Sequence, residues 1–548
     1  MIALLACVAP GIPLAPAADT SAAPEALPAV EPDLPDDPTA ALFDVDRIAT
    51  LALTMDAADW LAIRDNPWAE TWHAADFSWD GETVEQIAVR AFGQGSEIAG
   101  KPGLKLKFDG LVPGQEFRGL DELKLDNSSQ DVGYLNERIA TGIMRRFGVP
   151  AARTGWADVT VNGDAVGFFV VLESIDDRFV ERWFGDDDGV LYGMNSGYYG
   201  QGLNPMSEGL TWYEPQTSVQ SDGSDLVAVA NAVADGSDAE LAEVLDLDGF
   251  LRESVARSVL GSLDAFSADG NNFYLYDDGG RFTIIPWDFD VDLGGYYFTT
   301  SLSVDPWAPW DQSPWSANAV TGAEYTDPVL LRQLAMGADV DAVLAELLAD
   351  AASWPEVDAE VVASAALIHD AVHADVLGYG TSFDQRVPDL RMYLHARLSR
   401  LAGRDVADCP DLQGLPASAL SPSGTVGWGE LLVDETNWGP GFSIAGEHVC
   451  TGLFAHAPSD VTLSVPDGKT TLYGQVGLQD WNQRCGDGAR FRVEQGGVVL
   501  WEGQVVQTYE PAVSLGDIGV EAGEVHLIAD PNGEYSCDTA AWVGVGVR

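Results

Sequence analysis

Lysine is almost missing from this chain. Five occur in 548 residues, at positions 101, 105, 107, 124 and 469, and arginine carries the positive charge elsewhere. Acidic residues outnumber all basic ones 86 to 28, for a formal charge of −58. Such a surface repels phosphate backbones and anionic headgroups, which excludes nucleic acid and direct adsorption to a membrane. It attracts cations or a basic protein partner, or else reflects a high-salt or high-GC host. Cysteine is scarce too: Cys7, Cys409, Cys450, Cys485 and Cys537, with no C-x-x-C spacing of the zinc-binding kind. No apolar run is long enough to span a membrane. There is no internal repeat, no G-x-S-x-G and no plausible Cys–His dyad.

What is present is globular: 46% of residues are hydrophobic, and the length calls for two or three domains. The chain opens on MIALLACVAPGIPLAP, in which Leu4-Leu5-Ala6-Cys7 resembles a bacterial lipoprotein cleavage box with Cys7 as the lipidated residue. The positively charged start of a signal peptide is missing. The expectation is an exported protein, a cell-surface lipoprotein or a secreted one, that meets a membrane only through a lipid anchor. In an exported chain the four later cysteines would pair. A Pro/Ala/Asp-rich stretch to about residue 40 reads as a flexible tether.

Residues 41–185 read as short strands around one helix. QIAVRAF, LKLKFDG and LKL are β-like. YLNERIATGIMRRFG has helical periodicity and stops at Gly148 and Pro150. Asn162-Gly163 between two alternating runs predicts a hairpin with a type I′ turn. The stretch 190–220 reads as a long loop, 223–262 as helices, and NNFYLY-DDGG-RFTIIPW as a second hairpin. Residues 327–403 are mostly helical. A Pro/Ser/Gly-rich linker is placed at 406–426, and 427–548 alternates without a helical period, as a β-sandwich does.

The chemistry concentrates in LDAFSADGNNFYLYDDGGRFTIIPWDFDVDLGG, residues 263–295. Phosphoryl transfer needs a carboxylate to orient the acceptor and oxygen ligands to hold a divalent cation against phosphates. Protein kinases supply a loop Asp, an Asn several residues on, a short hairpin and then a metal-binding Asp. Asp264, Asn272, the hairpin and Asp288-Phe289-Asp290 stand in that order. A carboxylate after a buried strand is also a common structural cap. Upstream, Gly93-Gln94-Gly95-Ser96 lies between two strands, where backbone amides can cradle phosphates. Lys101, Lys105, Lys107 and Lys124 follow, and a compact ammonium suits a phosphate. A strand lysine held by a helix glutamate fixes a nucleotide in kinases, and Glu137 opens the helix after Lys124. The sequence leaves open which lysine does so. His369 and His373 stand four apart in LIHDAVHADVL, a spacing that binds zinc, but Asp370 occupies the place of the general-base Glu of zinc proteases. The DDGG and DDDG runs read as solvated turns rather than calcium loops.

These segments resemble, in order, those of the CotH-type spore-coat kinase family: RAFGQGSEIAGKPGLKLKF, LKLDNSSQDVGYLNERIATGIMRRFGVP, VTVNGDAVGFFVVLESIDDRF ending its hairpin near Glu173, and the stretch 263–295. The resemblance covers roughly residues 45–403. It implies a kinase using ATP with Mg²⁺ or Mn²⁺ to phosphorylate protein Ser/Thr hydroxyls. By that resemblance Asp264 is the active-site Asp, Asn272 the loop Asn and Asp288 the metal-binding Asp with Asp290 close behind. Glu137 is the helix Glu, and Lys101 aligns with the first strand lysine. Asn136 stands where the family commonly has Arg, and Asn271 where it often has His. The tail segments GLFAHAPSDVTLSV, YGQVGLQD, ARFRVEQGGVVLWEG and CDTAAWVGVGVR resemble the NPCBM-type carbohydrate-binding module, with Asp538-Thr539 in place of Asp-His. Cys485 and Cys537 lie in two of its loops and are expected to pair, with Cys409 and Cys450 as the second pair.

The reading is an α+β protein: a leader and tether over 1–40, an atypical protein-kinase-like domain over 41–405, a linker over 406–426 and an all-β sandwich over 427–548 that takes a glycan or a protein. The substrate would be a protein, favoured if basic. Two rivals stand beside it: a catalytically silent relative acting as a surface adhesion or structural protein, which scarce extracellular ATP favours, and a secreted glycan-binding protein. Intact Asp264, Asn272 and Asp288 favour the enzyme.

Overall fold

Asn162 and Gly163 both have positive φ, 55° and 88°, as the expected type I′ turn requires. They join the last two of seven strands that close a barrel: β1 Ile48–Met55, β2 His73–Trp79, β3 Glu82–Phe92, β4 Gly103–Lys107, β5 Glu122–Asp126, β6 Thr154–Val161 and β7 Asp164–Glu173. The order is β1-β2-β3-β4-β5-β7-β6, with β1 and β6 pairing in parallel to complete the ring. This computed structural model describes residues 37–93, 96, 98–194, 202–219, 221–262, 264–294, 327–401, 414–436, 439–440, 442–444, 447–449, 451–479, 487–507, 510–533 and 538–548. All five cysteines lie outside these residues, and with them the expected lipidation and both expected disulfides; so does Gly95.

Alternation along the strands sorts the barrel residues. Leu104, Leu106, Leu123 and Leu125 point inward onto Phe77, Phe108 and Phe117, and all seven are almost wholly buried. Lys105, Lys124 and Asp126 therefore take the outer face, where Lys105 lies opposite Lys124 in the ladder. Helix α1 (Ala57–Asp65) flanks the barrel, and α2 (Asn136–Arg146) packs on its outside. Ile139, Ile143 and Met144 of α2 meet Trp156, Phe168, Val170 and Leu172. This packing carries the first turn of α2 to the end of β5.

Beyond α3 (Asp177–Phe184) a second sheet forms from β8 (Val190–Met194) and β9 (Tyr213–Pro215), with α4 (Gly209–Trp212) between them. The expected long loop at 190–220 is corrected here. Val190, Leu191 and Tyr192 are buried because β8 has a partner downstream, β10. Helices α5 (Ser224–Asp235), α6 (Asp238–Val244), α7 (Leu247–Leu260) and α8 (Phe266–Asp269) follow, then the hairpin β10 (Phe273–Asp278) and β11 (Arg281–Pro286). The sheet order is β11-β10-β8-β9. Helices α9 (Pro328–Ala335), α10 (Val340–Glu346), α11 (Trp354–Ala374) and α12 (Gly380–Leu401) complete the domain. Among the described residues no helix is long and apolar enough to cross a membrane.

The last domain is all-β. One sheet runs Ser423–Thr425, Ser459–Val465, Gly523–Pro531, Ala489–Gln495, Val498–Val506; the other is built around Ala540–Val547, between Gly452–Phe454 and Thr471–Leu478. Trp542 and Phe491 meet edge-on at 5.3 Å in the core between them. The linker expected at 406–426 is shorter than its composition suggests. Leu415 and Pro416 pair with Val547 and Gly546, and Ser423–Thr425 pairs with Asp460–Thr462. Gly424 is needed there because a Cβ would lie 2.0 Å from the Asp460 carbonyl oxygen. Likewise Asp37 already pairs with Arg153 and Leu42 is buried, so the first domain begins ahead of residue 41.

Candidate active site

Two segments on either side of the β10–β11 hairpin come together at one place. The Trp287 amide donates to the Asn272 carbonyl at 3.0 Å, closing the base of the hairpin. Asn271 Nδ2 donates to Asp264 Oδ1 at 2.7 Å, and Asn272 Nδ2 to the Asp264 carbonyl at 3.0 Å. Among the described residues, one carboxylate oxygen of Asp264 has no hydrogen-bond donor, and neither does the Asn272 amide oxygen. Asn272 and Asp288 both sit in left-handed backbone, at φ 54° and 57°. Asn and Asp tolerate that region better than other non-glycine residues.

Arg257 of α7 holds the two segments from behind. It is wholly buried and donates to the carbonyls of Trp287 (2.6 Å), Asp288 (3.3 Å) and Asn272 (3.4 Å). It also contacts Asp292 Oδ2 at 3.1 Å, and its guanidinium lies 3.7 Å from the Phe289 ring centroid. Helix α2 holds them from the front. Asp131 accepts from the amides of Leu135 and Asn136 and so caps the helix. Asn136 Nδ2 donates to the carbonyls of Asp290 (2.7 Å) and Asp292 (3.0 Å). Its own oxygen accepts from Arg386 of α12, which also reaches the Leu293 carbonyl. Glu137 Oε1 accepts from the Phe289 amide at 2.7 Å.

The result is a cluster of acids. Burial, then the charge of Asp288, pushes the Asp126 carboxyl up to about 6. Burial and Asp288 hold Glu137 well above its ordinary range. Burial raises Asp288, with Asp264 adding to it, and burial with Asp288 raises Asp290 further. The Asp288 and Asp290 carboxyls lie close enough to shift each other. Five carboxyls and an amide oxygen form an all-oxygen donor set with excess negative charge, which suits a hard divalent cation. Asp288, Asp290 and Asn272 carry the donor chemistry such an ion takes, and Asp126 and Glu137 lie within their field.

The lysines separate. Lys101, aligned above with the nucleotide lysine, is enclosed: 1% exposed, with its ammonium on Asp375, the Tyr134 hydroxyl and the Asn127 carbonyl. Burial lowers it to about 8, although Asp375 opposes the shift. The structure therefore corrects Lys101 to a core ion pair. Lys105 pairs with Glu122 at 2.9 Å, and Lys107 with Asp109 at 3.4 Å near the strand end. Lys124 stays at the site: its ammonium lies 4.2 Å from the Trp287 ring centroid and within the field of Asp288. Glu137 does not hold a lysine. The α2 turn aims it at the Phe289 amide, so the expected Lys–Glu clamp is also corrected. Gly93 has φ 141°, and the Ser96 carbonyl accepts from Asn127 Nδ2 and Ser129 Oγ, which sets Ser96 against the segment after β5.

Sequence reasoning missed Arg257, Asp126, Asn136 as a support, and Asp375. Only Asp126 carried a signal, as the Asp ending the strand LKLD. Glu173, at the end of its hairpin, is structural: against the push of burial, Arg182 and Arg153 hold it down to about 2. In the last domain Thr539, at the position of the usual His, is buried and donates to the Gln479 carbonyl at 2.8 Å.

Residues 89–401 match the family described as CotH kinase protein, and residues 415–548 match the NPCBM/NEW2 domain. The chain is 24% identical to the inner spore coat protein H of Bacillus subtilis (strain 168) over 192 residues, 32% of this chain and 51% of that protein. It is 34% identical to alpha-1,3-galactosidase B of Akkermansia muciniphila over 120 residues, 21% of this chain and 15% of that protein. It thus spans about half of the first relative and less of the second. A solved structure with likeness to it holds the CBM51-2 and INT domains of Clostridium perfringens ZmpB in complex with GlcNAc, at 21% identity, 24% of this chain, 31% of that chain and a TM-score of 0.23.

Proposed function

The chain belongs to the CotH kinase protein family, and from that membership we propose that it is an exported kinase that transfers the γ-phosphate of ATP to Ser or Thr hydroxyls of a protein. The observation that carries this reading is the meeting of Asp264, Asn272 and Asp288, from both sides of the hairpin, beside the Asp290, Asp126 and Glu137 carboxyls. Asp264, oriented by Asn271, would accept the proton of the acceptor hydroxyl. Asp288, Asp290 and Asn272 would hold Mg²⁺ or Mn²⁺, which neutralises phosphate charge as it transfers. Lys124 would meet the nucleotide phosphates. The charge of −58 favours a basic acceptor, whose binding then weakens with salt.

Transfer of label from ATP by the full chain, beside Asp264→Ala and Asp288→Ala, tests the proposal. Label in the wild type and in neither variant supports it. No label and no nucleotide-dependent rise in melting temperature, with the chain folded, favours a silent surface protein instead.

For the last domain we propose glycan binding. The match to the NPCBM/NEW2 domain supports it, as does Trp428, 55% exposed with its ring 5.8 Å from that of His456. Loss of glycan-array signal in Trp428→Ala would place the sugar there; an array without signal for the wild type would remove the idea. Export and lipidation at Cys7 are checked by the intact mass of protein from the native membrane fraction.

A further inference from the structure

Away from the acidic cluster, the helices α11 and α12 run as a hairpin joined by residues 375–379. His369 and His373 lie one turn apart on α11, so their rings share a face, with centroids 4.3 Å apart. Asp384 of α12 stands opposite them. Its Oδ1 lies 3.0 Å from His373 Nε2 and 3.5 Å from His369 Nε2. The three donor atoms all fall within 4.8 Å of one another.

We propose that His369, His373 and Asp384 bind a borderline divalent transition-metal ion, Zn²⁺ or Co²⁺ by preference, and that the ion clips α11 to α12. In a tetrahedral site with bonds of about 2.0–2.1 Å, donor atoms stand about 3.3 Å apart. The two His–Asp spacings bracket that value. Both imidazoles turn the same nitrogen, Nε2, toward one oxygen. The other nitrogen of His369 is occupied, since Nδ1 lies 2.9 Å from Asp370 Oδ1. A carboxylate on the far nitrogen fixes the tautomer and makes a metal-bound imidazole a better ligand. Asp370, which breaks the protease pattern in the sequence, is in place for this. Gly380, the first residue of α12, makes room: a Cβ there would fall 2.6 Å from His373 Nδ1.

The side chains of His369, His373 and Asp384 are 50%, 38% and 38% exposed, so an ion enters from solvent and waters complete its shell. Two imidazoles select against Mg²⁺ and Ca²⁺, which prefer oxygen. The site is thus chemically distinct from the all-oxygen cluster, and neither depends on the other. The ion would brace the connection that carries Asp375, the partner of Lys101.

The test is Co²⁺ titration of the chelator-treated full chain in a large excess of Mg²⁺, followed by visible ligand-field absorption, with Zn²⁺ calorimetry alongside. One equivalent should bind, with a rise in melting temperature. His369→Gln and His373→Gln should each lower the affinity at least tenfold and remove that rise. Control His526→Gln changes a histidine that pairs with Asp460 in the last domain and should leave both readouts unchanged. No saturable Co²⁺ or Zn²⁺ binding, or binding that survives both α11 substitutions, overturns the proposal.

Discussion

The Lys101 ammonium lies 3.1 Å from the Asp375 carboxylate, across 274 positions of sequence, and neither side chain is more than 1% exposed. Asp375 also accepts from the Phe168 amide at 2.6 Å and the Tyr134 hydroxyl at 3.0 Å. The pair ties the turn after β3 to the connection between α11 and α12. Lys101→Met removes one charge and leaves the other buried. Breaking a buried pair in that way costs about 3–5 kcal/mol. The expected outcome is a large fall in melting temperature, partly recovered in the double variant with Asp375→Asn. Nucleotide binding, measured below the new transition, should persist.

Lys124 should behave in the opposite way. Burial pushes its ammonium down, and Glu122, Asp176 and Asp288 oppose that. Its described close contacts are the Trp287 and Phe92 rings rather than a carboxylate. Lys124→Ala should therefore weaken ATP binding at least tenfold by calorimetry while the fold survives. Lys107→Ala, which loses a partly exposed pair with Asp109, should change it little.

These two lysines mark where the sequence is readable and where it is not. Strand alternation, the Asn162-Gly163 turn and the helix stop at Gly148 depend on neighbours within a few residues, and each appears in the structure as its local pattern demands. The order Asp264, Asn272, Asp288 is also local, because one hairpin joins its parts. Lys101 and Asp375 are far apart in sequence, so no pattern near Lys101 announces that its charge is already spent. Arg257 and Asn136 are hidden for a related reason. Each holds the site segments through backbone carbonyls, which every residue has, so those contacts leave no trace in residue types. Residues 415–425 read as a linker because edge strands accept Gly and Pro more readily than central ones do.

Arg257 is the strongest structural test of the site. Its side chain satisfies three carbonyls of the two segments that flank the β10–β11 hairpin, pairs with Asp292 and lies 3.6 Å from Glu253, all without solvent. A lysine has no planar fork to replace these contacts. Arg257→Lys should lower stability by about 3 kcal/mol or more. It should also reduce label transfer well beyond the loss of folded protein, because Asp288 and Asn272 lose their shared support. Denaturant unfolding and transfer rates per folded molecule separate the two effects.

The acidic cluster would link the proposed cation binding to pH with a definite sign. Burial first, and Asp288 after it, sets Asp126 at about 6 and Glu137 well above its ordinary range; burial and neighbouring acids raise Asp288 and Asp290 too. Carboxyls raised in the folded state hold protons that the unfolded chain releases near pH 4. Their contribution to stability is full below that pH and is lost as pH rises through the folded values; for Asp126 it is on the order of 3 kcal/mol. Glu173, held near 2 against burial by Arg182 and Arg153, acts with the opposite sign, but only below about pH 4.5. Between pH 5 and pH 8 the cation-free protein should therefore lose melting temperature. A divalent cation replaces the lost protons only once the cluster is ionised. The rise produced by Mg²⁺ or Mn²⁺ should accordingly be larger at pH 8 than at pH 5, and Asp288→Asn should flatten the difference. Equal rises at both pH values would mean that the ion binds outside the cluster, and the roles given to Asp288 and Asp290 would have to be withdrawn.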